Sequence, residues 1–140
     1  MKTKKLFLIT SLLLLITGMG ACGDKNVDPQ FEIYENHEIS ACGVDDPLRN
    51  LDWLSEYCTE IKEQKRHVDI YLYKVTEKDE YVFAIVSPSR IENFVNITYF
   101  NCSKDKIFDW FTATPPSPWY NDFMKDKEYV DKLFYLHIKQ

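Results

Sequence analysis

Apolar residues crowd into one run, Leu6 to Ile16, and then thin out from Gly23 to Gln30. Beyond that polar gap, Phe31-Glu32-Ile33-Tyr34 reads as a short edge strand. Leu51, Leu54, Tyr57, Cys58 and Ile61 then recur at helical spacing, with Asp52, Glu56, Glu60 and Glu63 on the opposite side. Asp46 before Pro47 supplies a start signal: a capping carboxylate, then a residue whose missing N–H is not needed there. Lys62, Lys65 and Arg66 suit the negative end of the helix dipole. The spacing predicts one helix over 47–66, with Asn50–Asp52 as the place where it would break.

After residue 67 the period shortens. Val68 to Val75 is β-branched and aromatic, and Glu77 to Glu80 is a polar turn. Tyr81 to Val86 is nearly all apolar, the signature of a central strand. Ser87-Pro88-Ser89 ends it; Phe94 to Cys102 alternates, and after Ser103 to Lys106 a fourth strand runs from Ile107 to Thr112. Short turns between successive strands favour an antiparallel meander. Thr114-Pro115-Pro116-Ser117-Pro118 is unfit for sheet interior, and Ser117-Pro118 repeats the cap-then-proline helix start. Asp126 offers a further cap, with Tyr129, Val130, Leu133 and Phe134 as the apolar side of a C-terminal helix. The expected fold class is α+β: an N-terminal helix packed on a four-strand antiparallel meander, plus a C-terminal helix. No solenoid-type repeat occurs.

The leading apolar run changes the domain count. Lys2, Lys4 and Lys5 precede it, and it is shorter than the roughly 20 residues of a bilayer-spanning helix, so it reads as a secretory signal. It ends in Gly20-Ala21-Cys22, which resembles the lipobox of bacterial lipoprotein precursors, with Met19 where Leu is usual. That resemblance implies cleavage before Cys22 and acylation of its thiol, and two lipid signals already anchor a protein stably. The chain then divides into a signal peptide (1–21), a lipid-anchored tether (22–41) and one small domain (42–140). Losing three of 17 basic residues leaves 14 against 22 acidic ones, a mature net charge of −8. Such an acidic body argues against nucleic acid and against adhesion to anionic headgroups, so the link to the membrane is the lipid on Cys22. The expected location is the bacterial cell envelope, anchored at the outer membrane, with the domain in the periplasm or at the cell surface.

With Cys22 acylated, Cys42, Cys58 and Cys102 remain, in a compartment that permits disulfides. A helix begun at Pro47 would carry Cys58 about 18 Å along its axis. The four residues back to Cys42 reach about 14 Å at most. Cys42–Cys58 is therefore strained unless the helix starts near Asp52. Cys42–Cys102 is the preferred pair, worth roughly 4 kcal/mol by chain entropy, and Cys58–Cys102 stays open. Cys58 lies on the apolar side of the helix, where a thiol behaves as a small hydrophobe.

Catalytic signatures are scarce. Gly23 and Gly43 are the only glycines of the mature chain, too few for a phosphate-cradling loop. His37, His67 and His137 lack metal-ligand spacing, so each reads as an ordinary polar position and no metal or other cofactor is expected. Asp45-Asp46 and Glu77-Asp79-Glu80 lack the calcium-loop pattern, and no GxSxG is present. The aromatic load, 15% of the chain with Trp53, Trp110 and Trp119, has two readings. One is core filling; the other is an exposed binding face carried by Tyr99, Phe100 and Trp110 for a protein or glycan partner.

The stretch from Cys42 to Leu54 and the Tyr99-to-Cys102 turn resemble small uncharacterised lipoproteins of the Bacteroidales. These carry a CGV-x-(N/D)PL-x-x-L-x-WL segment after the lipid cysteine and a later Tyr-x-Cys turn. The likeness covers about residues 42–110 and implies location and a small α+β fold, with no activity attached. The functional expectation is a non-catalytic, lipid-anchored binding module. An inhibitor or accessory subunit of an envelope complex is the alternative, with a carboxylate-dependent hydrolase behind both.

Overall fold

The computed structural model describes residues 30–112 and 114–139, apart from the side chain of Trp119. The expected signal peptide (1–21), the expected lipidation at Cys22 and residues 22–29 of the expected tether lie outside the described residues. Among those described, no helix is long and apolar enough to cross a membrane.

Eleven elements follow in order: β1 (Phe31–Glu35), β2 (Ser40–Ala41), β3 (Val44–Asp45), α1 (Pro47–Asn50), α2 (Asp52–Gln64), β4 (Val68–Val75), β5 (Glu80–Pro88), β6 (Val95–Phe100), β7 (Lys106–Phe111), α3 (Pro118–Asp126) and β8 (Lys127–Ile138). The fold is α+β, with six strands in one antiparallel sheet ordered β1-β8-β4-β5-β6-β7 and a separate β2–β3 hairpin.

The sheet thus has six strands, not four, because residues 31–35 and 127–138 join it. β1 is an edge strand paired to β8, which inserts between β1 and β4. Residues 127–138 form that strand in place of the expected C-terminal helix. Two bulges give this strand its helix-like spacing. Tyr71 pairs with Lys132 while Ile70 pairs with Phe134, so Leu133 is an extra residue. Tyr73 pairs with Tyr129 while Leu72 pairs with Asp131, so Val130 is another. Two insertions shift an alternating pattern into one that imitates helical spacing. The helix in this part of the chain is α3, begun at Ser117-Pro118, with the Ser117 hydroxyl accepting from the Tyr120 N–H.

The predicted 47–66 helix is two helices, because Leu51 is extended (φ −101°, ψ 100°). Asp46 does not cap with its side chain; it sits in the left-handed region (φ 49°) and turns its carboxylate to His37. α2 ends with Lys65 left-handed, and the Arg66 N–H reaches the Ile61 carbonyl. That is a Schellman-type stop without glycine.

α2 lays Leu54, Cys58 and Ile61 on one face of the sheet, against Val68, Ile70, Leu72, Phe83, Ile85, Phe134 and Leu136. Full burial of an aliphatic side chain such as Leu54 or Ile61 stabilises by roughly 1.5–3 kcal/mol. α3 covers part of the other face, packing Tyr120 and Phe123 over Val82, Ala84 and Tyr99. The described domain therefore has three layers, and α3 reaches as far as β4, where the partly buried Tyr71, Tyr73 and Val75 pack against its cluster.

The Cys42–Cys102 disulfide forms, with Cα atoms 5.7 Å apart, and Cys58 is a buried free thiol. Cys42 and Gly43 are the two loop residues of the β2–β3 hairpin, with φ 58° and 75°. Positive φ at both loop positions matches the right-handed twist of a tight hairpin. That turn presents Cys42 to the β6–β7 loop. There the Asn101 side-chain carbonyl accepts from the N–H groups of Ser103 and Asp105, both at 2.9 Å, fixing the loop that carries Cys102.

Candidate functional site: the tyrosine-histidine face of β1, β8 and β4

On β4, Val68, Ile70 and Leu72 face α2, so Asp69, Tyr71 and Tyr73 face the other way. On β8, Phe134 and Leu136 face α2, so Tyr135 and His137 join them. On β1, Tyr34 stands opposite Tyr135 and Glu32 opposite His137. Register alone thus assembles a strip of tyrosine, histidine and charge from three strands distant in sequence.

The rings touch in series. Tyr34 stacks on Tyr135 (5.4 Å between centroids), Tyr135 on His137 (4.4 Å), and His137 lies 4.5 Å from His67. Farther along the face, Tyr129 meets Tyr73 at 5.8 Å and Tyr71 at 6.4 Å. Lys132 bridges the two groups, its ammonium 5.0 Å from the Tyr71 ring and 5.2 Å from the Tyr135 ring. Tyr34 and Tyr129 remain 38% and 52% exposed, and the others are half-buried.

Asp69 organises the polar atoms. Its Oδ1 accepts from Lys132 Nζ at 3.1 Å, and its Oδ2 lies 3.0 Å from His137 Nε2. Burial pulls the Lys132 ammonium down, but hydrogen bonds to Asp69 and Tyr71 outweigh it and the net shift is upward. The Tyr135 hydroxyl donates to Glu32 at 2.7 Å, which raises its pKa. Desolvation raises those of Tyr73 and Tyr129. These groups keep their protons at neutral pH, so the strip acts as a fixed pattern of donors and ring faces. One nitrogen each from His67 and His137 and one oxygen from Asp69 lie within 4.8 Å of one another, the arrangement by which side chains could hold a metal.

The residues singled out in sequence fall elsewhere. Tyr99 and Trp110 share a face but lie beneath α3: Tyr99 is 2% exposed, and the Trp110 ring packs 4.4 Å from that of Tyr120. Burial drives the Tyr99 phenol far above its ordinary pKa. Phe100 points through the sheet to the α2 side, beside Trp53. The three do not form one exposed face, because adjacent strand residues alternate sides and α3 covers one of them.

Of the acidic groups, Asp46 is engaged by His37 and Arg49, Asp45 accepts from the Ser40 hydroxyl, and Asp79 pairs with Lys74 at 2.6 Å. A cleft of about 270 Å³ between the β4–β5 turn and α3 is lined by Glu77, Glu80, Asp122 and Asp126.

The signal for the strip was available as i, i+2 pairs: His67-x-Asp69, Tyr71-x-Tyr73 and Tyr135-x-His137 each place two side chains on one face of a strand. Reading residues 127–138 as a helix hid the last pair. No protein-family model, curated protein or solved structure matches this chain.

Proposed function

We propose that this chain is a lipid-anchored protein of the bacterial cell envelope. It works as a non-catalytic binding module and docks a partner protein, as an accessory or inhibitory subunit does, through the β1–β8–β4 strip. The anchor rests on the lipobox-like Gly20-Ala21-Cys22 and the charged, apolar leader before it. The resemblance of the Cys42-to-Leu54 segment to one carried by Bacteroidales lipoproteins points to the same location.

One observation carries the docking role: a run of tyrosines on a sheet face, with Tyr34 and Tyr129 exposed and the Tyr135 hydroxyl held by Glu32. Tyrosine gives large, amphipathic contact area and is enriched where protein interfaces concentrate their energy. A glycan site calls for free donors and acceptors converging on sugar hydroxyls. Here Lys132, Asp69, His137, Tyr135 and Glu32 already bond one another, which favours a protein surface.

A photo-crosslinking residue placed at Tyr129 in living cells tests this reading, with Glu56 on the outer side of α2 as the control. A discrete crosslinked protein band at 129 and none at 56 is expected. Equal labelling at both sites, or a glycan-only adduct at 129, sinks it.

A further inference from the structure

The geometry points to a divalent transition-metal site formed by His67, Asp69 and His137, within the strip proposed above for docking but argued from its donor atoms alone. His67 immediately precedes β4, Asp69 lies two residues on along the same face, and His137 is on the neighbouring strand. Because Val68 pairs with Leu136, His67 and His137 lie side by side across the ladder. Two strand residues and the one just before β4 thus bring two imidazole nitrogens and one carboxylate oxygen within 4.8 Å of one another.

The donor set selects the ion. Two imidazoles with one carboxylate suit zinc and its first-row neighbours, whereas calcium and magnesium take oxygen ligands almost exclusively. Zinc–nitrogen and zinc–oxygen bonds of about 2.0–2.2 Å place neighbouring tetrahedral donors roughly 3.3–3.6 Å apart. Asp69 Oδ2 and His137 Nε2, at 3.0 Å, are already close to that spacing. The His67 ring, 4.5 Å from that of His137, offers the third donor within 4.8 Å of the other two.

The surroundings resemble the outer support of a built site. Lys132 holds the other oxygen of Asp69, which leaves Oδ2 as a single donor. Tyr135 stacks on the His137 ring and fixes its plane, and Glu32 stands across from His137 on β1. Three protein donors leave a fourth position for water or for a ligand from another molecule. His37 has no place in the cluster; it is engaged by Asp46.

The test uses tag-free protein extracted from membranes in detergent, titrated with zinc by calorimetry and with cobalt by visible absorption. One equivalent should bind with a dissociation constant of roughly micromolar or tighter. His67→Ala and His137→Ala should each weaken binding more than about tenfold, while His37→Ala leaves it unchanged. Should an alanine variant misfold, the unmodified protein still decides. Zinc should shield His67 and His137, but not His37, from diethylpyrocarbonate as mapped by mass spectrometry. No stoichiometric binding at roughly 100 µM zinc, unaltered binding in both folded variants, or no such shielding overturns the site.

Discussion

The indole N–H of Trp53 donates to the backbone carbonyl of Cys102 at 2.9 Å, so the residue bonded to Cys42 is also gripped from α2. The same indole meets Phe83 edge-on at 5.3 Å. Helix, disulfide and sheet core converge on one point.

Removing the disulfide with a Cys42→Ser/Cys102→Ser variant should lower unfolding free energy by up to about 4 kcal/mol in urea titrations. Trp53→Phe should cost roughly 1–3 kcal/mol, since it leaves a part-buried carbonyl without its donor. Because both changes act through Cys102, their effects should not add, and the triple variant should lose less than the sum.

Burial pushes the Cys58 thiol up to about 12. Native protein at pH 8 should therefore resist iodoacetamide at this position and react after denaturation, as read by peptide mass. A folded pKa above the unfolded value means that unfolded chain loses the proton first. Its contribution to stability is full below pH 9 and is lost as pH rises toward 12. Cys58→Ala should flatten that part of the stability–pH curve.

Core positions on the two faces of the sheet should respond differently. Leu54→Ala, at a fully buried site under α2, should cost about 2–5 kcal/mol in global unfolding. Phe123→Ala should release α3 and raise amide exchange over Val82, Ala84 and Tyr99 before the rest of the sheet. Uniform loss of protection across both faces would contradict the layered packing.

Cys22→Ser should abolish incorporation of an alkyne-palmitate label and leave a precursor that keeps residues 1–21. Labelling that persists in this variant would remove the lipid from the account.

The α+β class and the antiparallel sheet are legible in sequence because turn residues at Glu77–Glu80 and Ser103–Lys106 separate runs of β-branched and aromatic residues. The break at Leu51 and the edge strand at residue 31 are legible for similar local reasons. β8 is not, because Val130 and Leu133 are accommodated as bulges that only pairing with β4 reveals. The tyrosine-histidine strip was lost with it, since Tyr135 and His137 gain meaning only once they lie in a strand. The residues of the Cys42-to-Leu54 segment have structural tasks. Cys42 and Gly43 make the hairpin turn, Asp46 binds His37, Leu48 and Leu54 are buried, and Trp53 holds Cys102.

β8 is the strand that joins β1 to β4. It puts Leu133, Phe134 and Leu136 into the core under α2 and Tyr135 and His137 onto the opposite face. The same twelve residues therefore couple the interior to the strip. Loosening β8 would scatter Tyr135 and His137 from Tyr34 and Asp69 and open the core together, so the strip cannot be lost by local fraying alone.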